Sequence, residues 1–108
     1  MSGLWCTSLG YSENELLDAA VKQMKKLPFY HSFTGKTVDP AIDLSEKLVS
    51  IAPNNLDKVF FCNSGSEAND TAIKMVWYYQ AALGRPEKKK IISRKRGYHG
   101  VTIGAASL

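Results

Sequence analysis

The sequence has few residues of the kinds that build metal centres, disulfide frameworks or membrane spans. Its 108 residues include two cysteines and two histidines, and none of these stands at the spacing of a metal-ligand motif. No apolar run approaches the roughly 18 residues of a membrane-spanning helix. We therefore predict no metal site and no interaction with a membrane.

Two common nucleotide-binding motifs are also absent. The chain has neither the Gly-x-x-x-x-Gly-Lys-Ser/Thr pattern of a P-loop nor the Gly-x-Gly-x-x-Gly pattern of a dinucleotide-binding fold. Its first residues lack the basic start and long apolar core of a secretory signal peptide. We expect a cytoplasmic protein, with the mitochondrial matrix as the alternative if a leader is missing.

Acidic residues are missing from the last part of the chain. The net charge is +4, seven of the 14 basic residues lie between Arg85 and Arg96, and no carboxylate follows Glu87. Because a basic patch attracts nucleic acid and other anions, one hypothesis is a non-catalytic binding module that uses Lys88 to Arg96. The pattern favours the other interpretation, a solvated loop that precedes a strand.

Three stretches carry the apolar periodicity of amphipathic helices. We predict helices over residues 12–27, from residue 39 to about 52, and from 64 to 83. Gly84 then suits the left-handed position that follows many helices.

The starts of these helices have residues typical of N-terminal caps. Ser12 with Glu15, and Ser64 with Glu67, have the spacing of a capping box, in which each side chain accepts a hydrogen bond from a free backbone N–H. Asp39 is the predicted N-cap of the second helix, because a proline follows it at a position that favours the first helical residue.

Two short apolar runs predict strands on either side of the third helix, at residues 58–62 and 90–94. Strand, helix and strand form a β-α-β unit with a right-handed crossover, preceded here by two helices, so the predicted fold class is α/β. In a parallel unit the loops that follow the strands, residues 63–67 and 95–100, lie at the same edge of the sheet.

The first of these loops has the features of a phosphate-binding turn. A strand, a small polar turn and a helix leave backbone N–H groups directed at an anion, and Gly65 allows a close approach. Tyr98 in the second loop would place an aromatic face near that phosphate, as in a cofactor or nucleotide site. On the residues alone, a turn that only caps the helix is an equally good interpretation of Ser64 to Glu67.

Longer stretches of the chain resemble a known family. Residues 60–72, FFCNSGSEANDTA, resemble the phosphate-loop signature of class III aminotransferases, and residues 97–100, GYHG, resemble the second signature of these enzymes. Residues 3–6, 27–33 and 77–79 are similar to the branch of ω-amino acid–pyruvate and pyruvate-dependent 4-aminobutyrate aminotransferases. The family has the fold-type I architecture and uses pyridoxal 5′-phosphate (PLP).

The resemblance implies roles for five residues. Gly65 and Ser66 would bind the PLP phosphate through backbone and hydroxyl groups. The ring of Tyr98 would stack on the pyridine ring of the cofactor. Trp5 and Phe33 would line the substrate pocket.

The resemblance further implies a PLP-dependent transaminase that transfers an amino group from an ω-amino acid or amine to pyruvate. The parent enzyme would be a homodimer or a higher oligomer without a nucleic-acid partner. Residues 1–57 would be an N-terminal segment with helices leading into the large domain, and residues 58–108 would be the incomplete start of the PLP-binding large domain.

The match covers about a quarter of such an enzyme. The Schiff-base lysine of the family and the aspartate that pairs with the pyridine nitrogen would both follow Leu108. We therefore predict no catalytic residue in this chain and no turnover by the chain alone. A truncated gene product without function is the remaining alternative.

Overall fold

The backbone of residues 2–108, described by a computed structural model, contains five helical segments. In chain order they are α1 (Ser2–Trp5), α2 (Asn14–Lys26), α3 (Asp39–Ile51), α4 (Gly65–Ala82) and α5 (Ile103–Ala106). The chain divides into two compact units, of which the first ends at Lys58 and the second is Val59–Leu108. Within the described residues, no helix is both long enough and apolar enough to cross a membrane.

Helix α2 begins two residues later than its periodicity predicts. Its N-cap is Glu13, whose carboxylate accepts a hydrogen bond from the N–H of Glu15 at 3.2 Å. The predicted capping box of Ser12 and Glu15 is therefore wrong. A longer acidic side chain one residue further along takes the free N–H that the serine was expected to bind.

Helix α3 has the predicted start, but its predicted cap is wrong. The N-cap is Val38, which makes no side-chain capping bond, and Asp39 is already the first helical residue. The Asp39 carboxylate instead accepts a hydrogen bond from Lys26 Nζ of α2 at 2.9 Å. This bond lowers the pKa of Asp39 and raises the pKa of Lys26.

Helix α4 confirms both its predicted start and its predicted cap. The Ser64 hydroxyl accepts a hydrogen bond from the N–H of Glu67 at 3.2 Å. The Glu67 carboxylate accepts from the N–H of Asn63 at 3.0 Å, one residue before the partner that a standard capping box uses. These two bonds define the turn that leads into the helix.

The end of α4 also follows the prediction. Gly84 has a φ of +73°. Its N–H donates to the carbonyl of Ala81 at 3.0 Å, and the N–H of Arg85 donates to the carbonyl of Gln80 at 2.9 Å. This pair of bonds is the Schellman motif that a glycine after a helix favours.

The predicted strands are not observed in the part of the chain that the structure describes. Residues 58–62 and 90–94 have no regular secondary structure there. A strand is recognised by its hydrogen bonds to a neighbouring strand, and neither segment makes such a ladder. The β-α-β arrangement therefore stays a prediction.

Little apolar surface is buried among residues 2–108. Ala105, in α5, is the one residue of this range that is fully buried, with 1% of its surface exposed. It lies where α5 packs against α4. The best-packed part of the second unit is therefore the contact between the beginning of α4 and the segment that contains α5.

Candidate functional site

A cleft of about 450 Å³ lies between the N-terminal turn of α4 and the loop that precedes α5. It contains the three residues that the resemblance connects with the cofactor. Its full lining is Ser64, Gly65, Ser66, Asn69, Tyr98, His99 and Gly100. None of these side chains is a carboxylate, a lysine or an arginine, so no acidic side chain of the lining opposes an anion.

The start of α4 presents two backbone N–H groups without an acceptor in the described part of the chain. They belong to Gly65 and Ser66, the first two residues of the helix. The next two N–H groups are used, because Glu67 donates to the Ser64 hydroxyl and Ala68 donates to the Ser64 carbonyl. The free pair stands at the positive end of the helix dipole, which favours an anion.

Gly65 leaves the approach to these N–H groups open. A Cβ atom built on this glycine would meet no atom within 4 Å apart from its chain neighbours and the adjacent backbone of α4. The absence of a side chain therefore lets a ligand come close to the backbone at the start of α4.

The Ser66 hydroxyl connects the helix to the second loop. It accepts a hydrogen bond from the N–H of Val101 at 3.0 Å. A hydroxyl has one hydrogen to donate and two lone pairs, so Ser66 can still donate to a ligand while it accepts this bond. The Ser66 hydroxyl is therefore still available as a third donor to an anion while it accepts the hydrogen bond from the Val101 N–H.

Two neighbouring side chains of α4 hold the same loop. The amide nitrogen of Asn69 donates to the carbonyl of His99. Asp70 Oδ1 accepts from the Thr102 hydroxyl at 2.7 Å and from the N–H of Ala105 at 2.9 Å. The sequence did not lead us to predict any of these contacts.

The spacing of the polar residues at the start of α4 is the sequence feature that could have predicted these contacts. Ser66, Asn69 and Asp70 stand at positions i, i+3 and i+4 of α4, which places three short polar side chains on one face of its first turns. Such a stripe at the start of a helix indicates that this face meets a polar partner. Only the folded chain identifies that partner as the loop before α5.

Gly100 allows the loop and the helix to approach each other. Its φ is +129°, a backbone conformation that residues other than glycine rarely adopt. A Cβ atom at this position would lie 2.9 Å from Ser66 Cα and 2.9 Å from Ala105 Cβ. The glycine is therefore required by both its backbone conformation and its surroundings.

Tyr98 and His99 form the wall of the cleft that faces the start of α4. Tyr98 is 81% exposed, so most of its ring surface is available to a ligand. His99 is half-buried, and its Nε2 atom is buried without a hydrogen-bond partner among the described residues. The cleft thus combines an exposed aromatic ring with helix N–H donors.

Trp5 and Phe33, the predicted pocket residues, belong to the first unit and not to the cleft. Trp5 is 90% exposed and ends α1, a short turn with left-handed dihedral angles. Phe33 is also exposed, and its N–H donates to His31 Nδ1 at 3.2 Å, while the rings of Tyr30 and His31 stack. Their role as pocket residues stays a prediction.

The whole chain, residues 1–108, matches the family model described as aminotransferase class-III. The chain belongs to the class III aminotransferases. Membership confirms the resemblance that residues 60–72 and 97–100 indicated. It also confirms the cofactor expectation, because PLP is the cofactor of this family.

Individual class III aminotransferases are similar over the full length of the chain. Vanillin aminotransferase of Capsicum annuum is 58% identical over 109 residues, which cover 100% of this chain and 24% of that protein. Gamma-aminobutyrate transaminase 1, mitochondrial, of Oryza sativa subsp. japonica is 56% identical, with 100% of this chain and 21% of that protein covered.

A solved structure agrees with the fold of the chain. The crystal structure of the omega transaminase from Pseudomonas jessenii in complex with PMP has a TM-score of 0.94 and 57% identity, and the match covers 99% of this chain and 24% of that one. The chain thus spans about a quarter of these relatives. None of them supports the hypothesis of a nucleic-acid-binding module or that of a product without function.

Proposed function

We propose that this chain is the part of a PLP-dependent transaminase that binds the phosphate of the cofactor. The observation that carries the proposal is the convergence of Gly65, Ser66 and Tyr98 on one cleft. The complete protein would transfer an amino group from an ω-amino acid or amine to pyruvate. The vanillin and gamma-aminobutyrate transaminases to which the chain is similar support this substrate class.

The donors at the start of α4 fit a phosphate group. Two free N–H groups and the Ser66 hydroxyl converge where the helix dipole is positive, and the Gly65 position is open. Since the lining contains no carboxylate, it does not repel the phosphate. Gly65 and Ser66 would therefore hold the phosphate, and the bound cofactor would supply an electron sink for the amino-group chemistry.

Tyr98 would orient the cofactor and keep water from one of its faces. An exposed phenol ring offers an apolar surface of the size and planarity of a pyridine ring. Because the loop that carries this ring is bonded to α4 through Ser66 and Asn69, the ring stands at a defined place relative to the phosphate donors.

The remaining parts of the enzyme follow from the same proposal. Trp5 and Phe33 would line the substrate pocket, and their exposed rings support this role because they are free to contact a substrate. Residues 1–57 would lead into the large domain, and residues 58–108 would begin it, with segments 58–62 and 90–94 as strands of its β-α-β unit. We propose a cytoplasmic homodimer or higher oligomer that takes an amino donor and a pyruvate-like acceptor.

The proposal is tested by titrating PLP into the complete protein that carries this sequence. We expect Ser66→Ala to weaken PLP binding about tenfold or more, because a hydrogen bond to a charged group contributes about 1.5–3 kcal/mol. Ser50→Ala is the matched control, since the Ser50 hydroxyl donates to the Lys47 carbonyl within exposed α3. Equal dissociation constants for the two variants would contradict the assignment of the phosphate to this cleft.

A further inference from the structure

We propose that Asp70 is a positioning residue for the Tyr98 ring, with Thr102 as its partner, and that it adds to the bonds by which Ser66 and Asn69 hold the same loop. The inference rests on the proposed function and adds a residue that does not line the cleft. Asp70 acts through the loop that it holds, not through contact with the cofactor.

The contacts of Asp70 join distant parts of the sequence at one atom. Its Oδ1 accepts from the Thr102 hydroxyl at 2.7 Å and from the Ala105 N–H at 2.9 Å, residues that follow it by 32 and 35 positions. Asp70 and Thr102 are half-buried. An ionised carboxylate is an acceptor only, and its hydrogen bonds are stronger than those of neutral groups, so both donors hold the loop firmly.

The surroundings of Asp70 have the shape that this contact needs. A Cβ atom on Gly104 would lie 3.2 Å from the Asp70 Cγ atom, so glycine at that position leaves room for the carboxylate. Ala105, which donates to Asp70, is the fully buried residue of the described chain. The carboxylate therefore binds at the best-packed point of the segment that carries Tyr98.

The two free N–H groups at the start of α4 do not depend on this contact. The turn before α4 is held by the bonds that join Ser64, Glu67 and Asn63, and none of these bonds involves Asp70. Tyr98, in contrast, lies on the loop that Asp70 anchors at its far end. Loss of the Asp70 contact should consequently affect the ring of the cofactor more than its phosphate.

The experiment compares two ligands on the complete protein. PLP has both the phosphate and the ring, whereas inorganic phosphate lacks the ring. The binding of inorganic phosphate is measured by the rise that it causes in the melting temperature of the apo protein. For Asp70→Ala we expect PLP to bind roughly tenfold more weakly, while phosphate binding changes less than about twofold. The visible circular dichroism of bound PLP should decrease, because that signal reports the orientation of the ring.

Conservative variants separate positioning from general stability. Asp70→Asn keeps an oxygen that can accept both hydrogen bonds and should restore most of the PLP affinity. Thr102→Ser keeps the hydroxyl and should resemble wild type, whereas Thr102→Val should resemble Asp70→Ala. Asp18→Ala is the control for a lost carboxylate, since Asp18 lies on the exposed surface of α2.

Several outcomes would overturn the inference. Unchanged PLP affinity and circular dichroism in Asp70→Ala would do so, as would equal losses for PLP and inorganic phosphate. If Asp70→Ala does not fold, the Thr102→Val and Thr102→Ser pair decides, and equal PLP affinity in these two proteins counts against the inference. Failure of the wild-type protein to bind PLP would instead overturn the proposed function itself, and the two failures are thus distinguishable.

Discussion

The two units of the chain differ in what holds their loops in place. In the second unit, the side chains of Ser66, Asn69 and Asp70 in α4 form hydrogen bonds with residues 30 to 35 positions later. In the described part of the first unit, the side-chain contact that joins two helices is the exposed pair of Lys26 and Asp39. One unit therefore has a network of directional bonds around a cleft, and the other has a surface ion pair.

This difference indicates how each unit can contribute to a site. The groups that we propose as phosphate donors all lie within the second unit, where the Ser66 hydroxyl joins the start of α4 to the Tyr98 loop. The aromatic residues of the first unit, Trp5 and Phe33, are exposed. Their role in lining a substrate pocket stays a proposal.

The largest effect is expected at the closest approach between loop and helix in the second unit. Gly100→Ala should lower the free energy of unfolding by about 3 kcal/mol, because the new methyl group meets Ser66 and Ala105 and the backbone keeps a positive φ. It should also weaken PLP binding by the complete protein. Urea unfolding and PLP titration measure the two effects.

The control for Gly100 comes from the first unit. Gly10 has a φ of +102°, and a Cβ atom there would meet nothing within 4 Å. Gly10→Ala should therefore cost only the backbone strain, about 1 kcal/mol, and leave PLP affinity unchanged. Similar unfolding curves for the two variants would remove the distinction that we draw between the units.

Substitutions at the helix caps should change the free energy of unfolding by a smaller amount, and in opposite directions in the two units. Ser64→Ala removes a side-chain cap and should lower the free energy of unfolding by about 1 kcal/mol. Val38→Thr supplies a hydroxyl where α3 has no side-chain cap, and it should raise stability by a fraction of that amount. Chemical denaturation checks both, and a loss of stability in each variant would contradict the difference in capping.

The ion pair of the first unit should give the smallest effect. The hydrogen bond with Lys26 lowers the pKa of Asp39. The stability that the ionised Asp39 adds is therefore present at neutral pH, and it is lost as the pH falls through that lowered pKa, below about pH 4. The same bond raises the pKa of Lys26. The stability that the protonated Lys26 adds is therefore fully present below the ordinary lysine pKa, and it is lost as the pH rises through the raised value.

Lys26→Met is the variant that isolates this pair. Its melting temperature should lie slightly below that of wild type at neutral pH and low salt, and the difference should vanish in acid and in concentrated salt, because exposed charges are screened. A large difference that persists in concentrated salt would show that the first unit is held more firmly than its exposed contacts indicate.

Much of the local structure could be read from the sequence. The apolar periodicity located α2, α3 and α4 within about two residues, and the capping of α4 by Ser64 and Gly84 was correct. The predicted caps Ser12 and Asp39 were wrong, because the Glu13 carboxylate takes the free N–H at the start of α2 and Lys26 of α2 binds the Asp39 carboxylate. The four-residue segments α1 and α5 were not predicted, since so short a segment has no periodicity to detect.

The sequence by itself determined where the long helices lie and that a turn capped by Ser64 opens α4, since both depend on residues within a few positions of each other. The tertiary structure decided what that turn contacts. The local sequence does not predict the contacts of Asp70, Thr102 and Gly100, which join residues about thirty positions apart. The Ser64 turn is a local feature, but only the folded chain brings Tyr98 to it, because a loop is held by bonds that no short window of sequence contains.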